Sequence, residues 1–274
     1  MLKNRLIPVI LLKGELVVQS LGFNRYLPIG NVSTAIEFFV NWDVDEIIIL
    51  DIEASSEKRD PRIDIVKEAC QSCFLPLSVG GGIRDIDQIK KLLRSGADKV
   101  VINEAAYLDS SFIKKAVEVY GSSTVTASID VCKRNDEYEC HYRNGKISSG
   151  KNVKEWVLEL DDLGVGEILI NSIDRDGSRR GYDIDLLKLV TSATSKPVIA
   201  CGGVGDVTHF TQGIKEGRCD AVAAANIFQH LEHSTIAAKA FLKKSKVSIR
   251  LDSEATYENY DIDTIGRPVP TMIK

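Results

Sequence analysis

The chain has 274 residues, a length that suits either two ordinary domains or one (β/α)8 barrel of about 250 residues. Hydrophobic residues make up 44% and charged residues 27%, the balance of a globular chain that buries its own core without disulfide or metal staples. With 35 Lys and Arg against 39 Asp and Glu the net charge is −4, which excludes a global positive field for gathering nucleic acid or acidic membrane.

The start, Met1-Leu2-Lys3-Asn4-Arg5, leads into one short apolar run with no small-residue cleavage site, so no secretory leader is expected. No apolar run reaches the roughly 18 residues of a membrane span. A cytoplasmic chain is therefore expected. From there β-type runs alternate with helical patterns. The strand candidates are 6–11, 46–52, 77–79, 99–103, 124–130, 167–170, 198–201 and 221–224. Several are continuously apolar, as strands are when a parallel sheet is buried on both faces. Helical patterns fall at 86–95, 111–120, 153–163, 184–192 and 207–216. Eight strands with intervening helices predict an α/β fold of the (β/α)8 barrel type. The alternative, an open doubly wound sheet, would show a G-x-G-x-x-G turn near its first strand, and none is present.

Three pairs of segments repeat at an offset of about 121–122 residues. Asp45-Glu46-Ile47-Ile48-Ile49-Leu50-Asp51 echoes Gly166-Glu167-Ile168-Leu169-Ile170-Asn171-Ser172. Val79-Gly80-Gly81-Gly82 echoes Ala200-Cys201-Gly202-Gly203, and Gly96-Ala97-Asp98-Lys99-Val100 echoes Arg218-Cys219-Asp220-Ala221-Val222. A duplication dictates architecture. We read one barrel over 1–252, made of half-barrels at about 1–122 and 123–252, followed by a tail at 253–274. The tail is either a loosely ordered terminus or a strap that docks on a partner.

In such barrels ligands bind where strands end. Gly81, Gly82, Gly202 and Gly203 lie there, and each pair is either a tight turn or a cradle of backbone N–H groups for phosphate. Ala224, Ala225 and Asn226 follow the eighth strand, as Asn103 follows the fourth, at the openings of short helices that suit an anion. Symmetric placement favours the phosphate reading, with one phosphate at each end of the ligand. Asp130 ends the fifth strand and is the candidate general acid or base. Asp51 ends the second, and Asp174, Asp176 and Gly177 follow the sixth, where Asp176 would position a ligand or simply make a turn. The repeat places a partner for Asp130 near position 11, but Leu11 stands there and can transfer no proton.

Other chemistry is thinly supported. The six cysteines are scattered, as free thiols of a reducing compartment are. The Cys70-x-x-Cys73 pair lacks the second pair that a zinc site needs. His141, His209, His230 and His233 show no metal-ligand spacing, and Trp42 and Trp156 read as packing residues in helix-type stretches. No metal and no cofactor are expected.

The runs Leu50-Asp51-Ile52-Glu53-Ala54-Ser55, Val79-Gly80-Gly81-Gly82-Ile83, Gly96-Ala97-Asp98-Lys99-Val100, Ser172-Ile173-Asp174-Arg175-Asp176-Gly177 and Gly181-Tyr182-Asp183 carry a specific resemblance. Across about residues 3–252 the chain resembles the cyclase subunit of imidazole glycerol phosphate synthase, HisF. The resemblance implies a doubled half-barrel that pairs, at its N-terminal face, with a glutaminase, HisH. Ammonia from the glutaminase would cross the barrel to a bisphosphorylated substrate at the C-terminal end. The family's charged ring at the channel entrance matches Arg5, Glu46, Lys99 and Glu167. Its two catalytic aspartates match Asp130 and Leu11, and a substrate-holding lysine of the loop after the first strand falls at Gln19. Asn226 stands where the family has a serine.

Losing one of a pair of proton-transfer groups costs about 10²–10⁴-fold in rate. The first reading is therefore a divergent barrel subunit that conducts ammonia for amidation of a bacterial surface-polysaccharide sugar, forming an acetamidino group, with a separate sugar amidotransferase. The second is a histidine-pathway cyclase in which Asp130, Asp51 or Asp176 compensates. The third is a regulatory barrel that binds a phosphorylated metabolite without reacting it. The expected partners are a HisH-like glutaminase, a phosphorylated small molecule and, in the first reading, the amidotransferase. Neither nucleic acid nor membrane is expected.

Overall fold

A computed structural model describes residues 3–229, 235–250, 260–262 and 268–270. His230, His233 and most of the tail lie outside the described residues. Strands β1 (Arg5–Lys13), β2 (Leu16–Leu21) and β3 (Arg25–Gly30) precede helix α1 (Val32–Val40). Then come β4 (Ile47–Asp51), α2 (Ile63–Ser72), β5 (Leu77–Gly80), α3 (Ile86–Arg94), β6 (Lys99–Ile102), α4 (Glu104–Leu108) and α5 (Ser110–Tyr120). The chain continues through β7 (Val125–Arg134), β8 (Glu137–Tyr142), β9 (Ile147–Asn152), α6 (Val153–Asp162), β10 (Glu167–Ser172) and α7 (Ile184–Ala193). It ends with β11 (Val198–Cys201), α8 (Thr208–Lys215), β12 (Ala221–Ala224), α9 (Thr235–Lys244), β13 (Tyr260–Ile262) and β14 (Pro268–Pro270).

Eight of these strands close into a parallel barrel in the order β1-β4-β5-β6-β7-β10-β11-β12, with β12 returning to β1. The register sets Arg5 beside Ala221, Val9 beside Ile48 and Glu167 beside Thr126. Side chains alternate along each strand. In β1, Leu6, Ile10 and Leu12 therefore join the large outer core under the helices, while Ile7 and Val9 join a second cluster on the barrel axis. β4 does the same, with Ile47 and Ile49 outside and Ile48 inside. That is why these runs read as continuously apolar. The helices dock by amphipathic faces. In α3, Ile89 and Leu92 are buried, Asp85 caps the N-terminus by accepting from the Gln88 amide at 2.8 Å, and Lys91 and Arg94 complement the C-terminal dipole.

The alternation of β with α omits four strands. β1 and β7, with 9 and 10 residues, run beyond the barrel and fold back as antiparallel additions. β2 and β3 extend β1, and β8 and β9 extend β7. The turn from β1 to β2 is the two-residue Gly14-Glu15, with Gly14 first and at φ +62°, a hairpin geometry suited to glycine. Gln19 therefore lies in a strand rather than a loose loop. Trp156 is a buried residue of α6, but Trp42 falls just beyond α1, where its ring lies tilted against Phe38 with centroids 4.0 Å apart. In the tail, β13 pairs antiparallel with β14.

An ion pair ties α9 to the barrel floor. Lys239, 1% exposed, reaches Asp45 at 2.9 Å, and the other Asp45 oxygen accepts from the Leu6 amide at 2.8 Å. Burial pushes the Asp45 carboxyl up, against the pull of Lys239. Lys239→Ala strands a carboxylate in the interior, and such losses cost about 3–5 kcal/mol. Urea denaturation of this variant is expected to show a destabilisation of about 3 kcal/mol. A change within noise would contradict the anchoring role.

Candidate functional site

The strand C-termini and the two added hairpins enclose a pocket at one mouth of the barrel. Of the residues expected at the ligand site, Leu11 and Asp130, the glycine pairs Gly81–Gly82 and Gly202–Gly203, Asn103, Asp176, Gly177 and Ala224 to Asn226 line it. Leu11 ends the axial cluster of Ile7, Val9, Ile48, Val101, Leu169, Ile199, Ala221 and Ala223, together with Leu50, Cys201 and Ala225. No acid stands beside Asp130 on that side.

Asp130 is held at the rim by Asn103, whose Nδ2 donates to Oδ2 at 3.2 Å and to the Ser128 carbonyl at 3.1 Å. Burial, and then the charge of Asp176, push its carboxyl up to about 7, while the Asn103 hydrogen bond works against them. Near neutral pH the group is thus poised between acid and base.

The other aspartates are occupied. Asp51 is gripped by Arg59 through Nη1 at 2.8 Å and Nη2 at 3.2 Å, and also accepts from the Glu53 and Ala54 amides. Asp174 accepts from the Lys133 amide at 2.7 Å, pinning the turn after β10 to β7, and does not line the pocket. Asp176 accepts from Ser20 Oγ at 2.6 Å and from the Phe23 amide at 3.0 Å, and burial raises its carboxyl too.

The glycine turns have a structural reason of their own. A Cβ on Gly81, at φ +111°, would lie 2.4 Å from the Asp51 carbonyl. At the equivalent turn a Cβ on Gly202, at φ +92°, would lie 2.8 Å from Asn171 Oδ1 and 2.9 Å from the Ser172 carbonyl. Each turn packs on the end of the preceding barrel strand, so backbone crowding demands glycine there whether or not a ligand approaches.

The hairpins are fastened across the mouth. Asn226 pairs with the backbone of Ser20 in both directions, its Oδ1 accepting from the amide at 3.2 Å and its Nδ2 donating to the carbonyl at 2.7 Å. Glu104 Oε1 accepts from Arg143 Nε at 3.0 Å and from its Nη2, holding the turn between β8 and β9. Asn144 of that turn donates to the Ile52 carbonyl. Ser20, Phe23, Tyr26, Glu104, Arg143, Asn144 and Asn171 all line the pocket and were not singled out from the sequence. Asn171 lies two residues past Leu169 in β10, the next axial position, so alternation could have found it. The hairpin residues carried no such signal. Gln19, in contrast, does not line the pocket.

At the opposite end the four charged residues form a closed ring. Arg5 reaches Glu46 at 2.7 Å and Glu167 at 2.6 Å, and Lys99 reaches the same two carboxylates at 3.0 and 2.8 Å. Glu46, 2% exposed, also accepts from Ser78 Oγ at 2.6 Å. Burial opposes charge on Arg5 and Glu167, but the alternating partners outweigh it, so Arg5 is raised and Glu167 lowered. Among the described residues no group of three His, Cys, Asp or Glu side chains could hold a metal, and no helix is long and apolar enough to cross a membrane.

Residues 5–235 match the family model described as histidine biosynthesis protein. A protein of Vibrio vulnificus (strain YJ016), provisionally named imidazole glycerol phosphate synthase subunit hisF2, is 55% identical over 269 residues, covering 98% of each chain.

The proton on Asp130 has a measurable signature. Its carboxyl rises to about 7 in the folded state. The native state therefore binds a proton more tightly than the unfolded chain, whose Asp titrates at about 3.9. Stability is lost as pH climbs through that window and levels off above it. Asp130→Asn removes this loss. Thermal scans are expected to show the variant gaining on wild type between about pH 4 and 7 and holding its lead above. A gap independent of pH would contradict the shifted proton.

Proposed function

The chain belongs to the histidine biosynthesis protein family, as a barrel of the imidazole glycerol phosphate synthase subunit type, and we propose that it conducts ammonia from a glutaminase to a separate acceptor enzyme. One juxtaposition carries this reading. The ring of Arg5, Glu46, Lys99 and Glu167 lies beneath an axial column of apolar side chains, and the column ends at Leu11 rather than at an acid.

Glutamine hydrolysis yields glutamate and ammonia. Neutral ammonia can enter an apolar lumen far more cheaply than ammonium, because burying an unpaired charge is costly. The ring is closed by ion pairs, so passage requires one cation to swing aside, and Lys99 is the more flexible of the two. The glutaminase would dock on this N-terminal face. At the mouth Asp130 lacks a partner for the proton transfers of ring closure. Asp51 and Asp176, which could compensate, are held by Arg59 and by the β2–β3 hairpin. The acceptor we propose is a surface-polysaccharide sugar, converted to its acetamidino form by an amidotransferase seated at the mouth. This choice rests on the resemblance and on what the mouth has lost. The pocket itself would take a phosphorylated small molecule against Gly82, Asn103, Gly177, Gly203 and Ala225.

A histidine-pathway cyclase is the competing reading, and the name of the Vibrio relative favours it. Against it stand Leu11 and the occupied aspartates.

The test is glutamine hydrolysis by the cognate glutaminase with and without this chain. Addition of the chain is expected to raise the rate at least about tenfold, a lowering of the activation barrier by roughly 1.4 kcal/mol. An unchanged rate would sink the pairing.

A further inference from the structure

The two side chains that fasten the hairpins stand at equivalent places in the duplicated barrel. Glu104 follows β6 and Asn226 follows β12, at the offset that relates the two halves. Each grips the hairpin of the other half. Asn226 completes a short ladder with Ser20 of β2, and Glu104 holds Arg143 beyond β8. These are the openings where the sequence led us to expect one phosphate apiece. Asn226 spends both hydrogen-bonding atoms on protein backbone there. Glu104 brings a carboxylate whose Oε2 is buried with no hydrogen-bond partner among the described residues. The charge of the pocket points the same way. Its lining holds four carboxylates, of Asp51, Glu104, Asp130 and Asp176, against the guanidiniums of Arg143 and Arg179.

We propose that Glu104 and Asn226 are specificity-determining residues that keep the two openings of the mouth from holding phosphate together, so that the pocket takes a ligand with at most one phosphate and rejects doubly phosphorylated ones. The inference rests on the reading of the mouth as a ligand site and narrows its ligand class. A second phosphate would have to displace Asn226 from Ser20, or share its site with the Glu104 carboxylate. Discrimination of this kind comes from a repulsive or occupied site rather than from better contacts to the favoured ligand. Removing the Glu104 carboxylate would also free Arg143, whose fork suits a phosphate.

Isothermal calorimetry with ribulose 1,5-bisphosphate and ribulose 5-phosphate tests this on wild type and on Glu104→Ala/Asn226→Ser. Wild type is expected to bind the bisphosphate no tighter than the monophosphate. The double variant is expected to shift the ratio toward the bisphosphate by at least about tenfold. Amide exchange at Ser20 reports the latch directly and should quicken in Asn226→Ser, while Asp176 still holds the hairpin. Wild-type preference for the bisphosphate, an unchanged ratio in the double variant, or failure of both proteins to bind either sugar phosphate would each overturn the proposal. Glutaminase stimulation measured on the same preparations separates the two ideas. If it persists while the ratio is unmoved, only the specificity assignment fails.

Discussion

Closure of eight parallel strands forces every second side chain onto a single axis, and the rest of the molecule is arranged along it. At one end the axis begins with the charged ring. In the middle it is filled by aliphatic residues from Ile7 to Ala223, and at the other end it opens among the strand C-termini. A one-residue change of register in β1 would turn Arg5, Ile7, Val9 and Leu11 outward together. The ring, the lumen and the composition of the mouth are therefore one structural decision.

That arrangement separates two tasks. Excluding charge and water needs only a packed apolar column above a ring of satisfied ion pairs. Ring-closing chemistry needs a pair of proton-transfer groups facing each other at the mouth. The first is intact in this chain. In the proposed reading the second would rest on Asp130 alone, poised near neutrality by burial and by Asp176, opposite a leucine. The hairpins over the mouth are fastened by Asp176, Asn226 and Glu104.

Much of this was legible in the residues. Continuous apolar runs marked the barrel strands because both their faces are buried, and the duplicated segments placed Leu11 opposite Asp130. The ring residues were identified through the resemblance, each at the start of a barrel strand. The hairpins were not legible. Leu16 to Gly30 mixes buried Val17 and Val18 with exposed Leu27 and Ile29, so neither period stands out. The partners of Asp51, Asp176 and Asn226 come from loops distant in sequence, which no spacing rule links. The glycine turns were visible as motifs, but only the close approach of the Asp51 carbonyl to Gly81 shows the packing reason for them.

The most direct measurement is turnover of the bisphosphorylated aminoimidazole precursor by the purified chain, with ammonium salt at high pH supplying ammonia without any glutaminase. With Leu11 facing Asp130 and both mouth openings fastened, no imidazole product is expected above background. Steady turnover by the wild-type chain would contradict the separation of ammonia conduction from ring closure, and would make this barrel a cyclase in its own right.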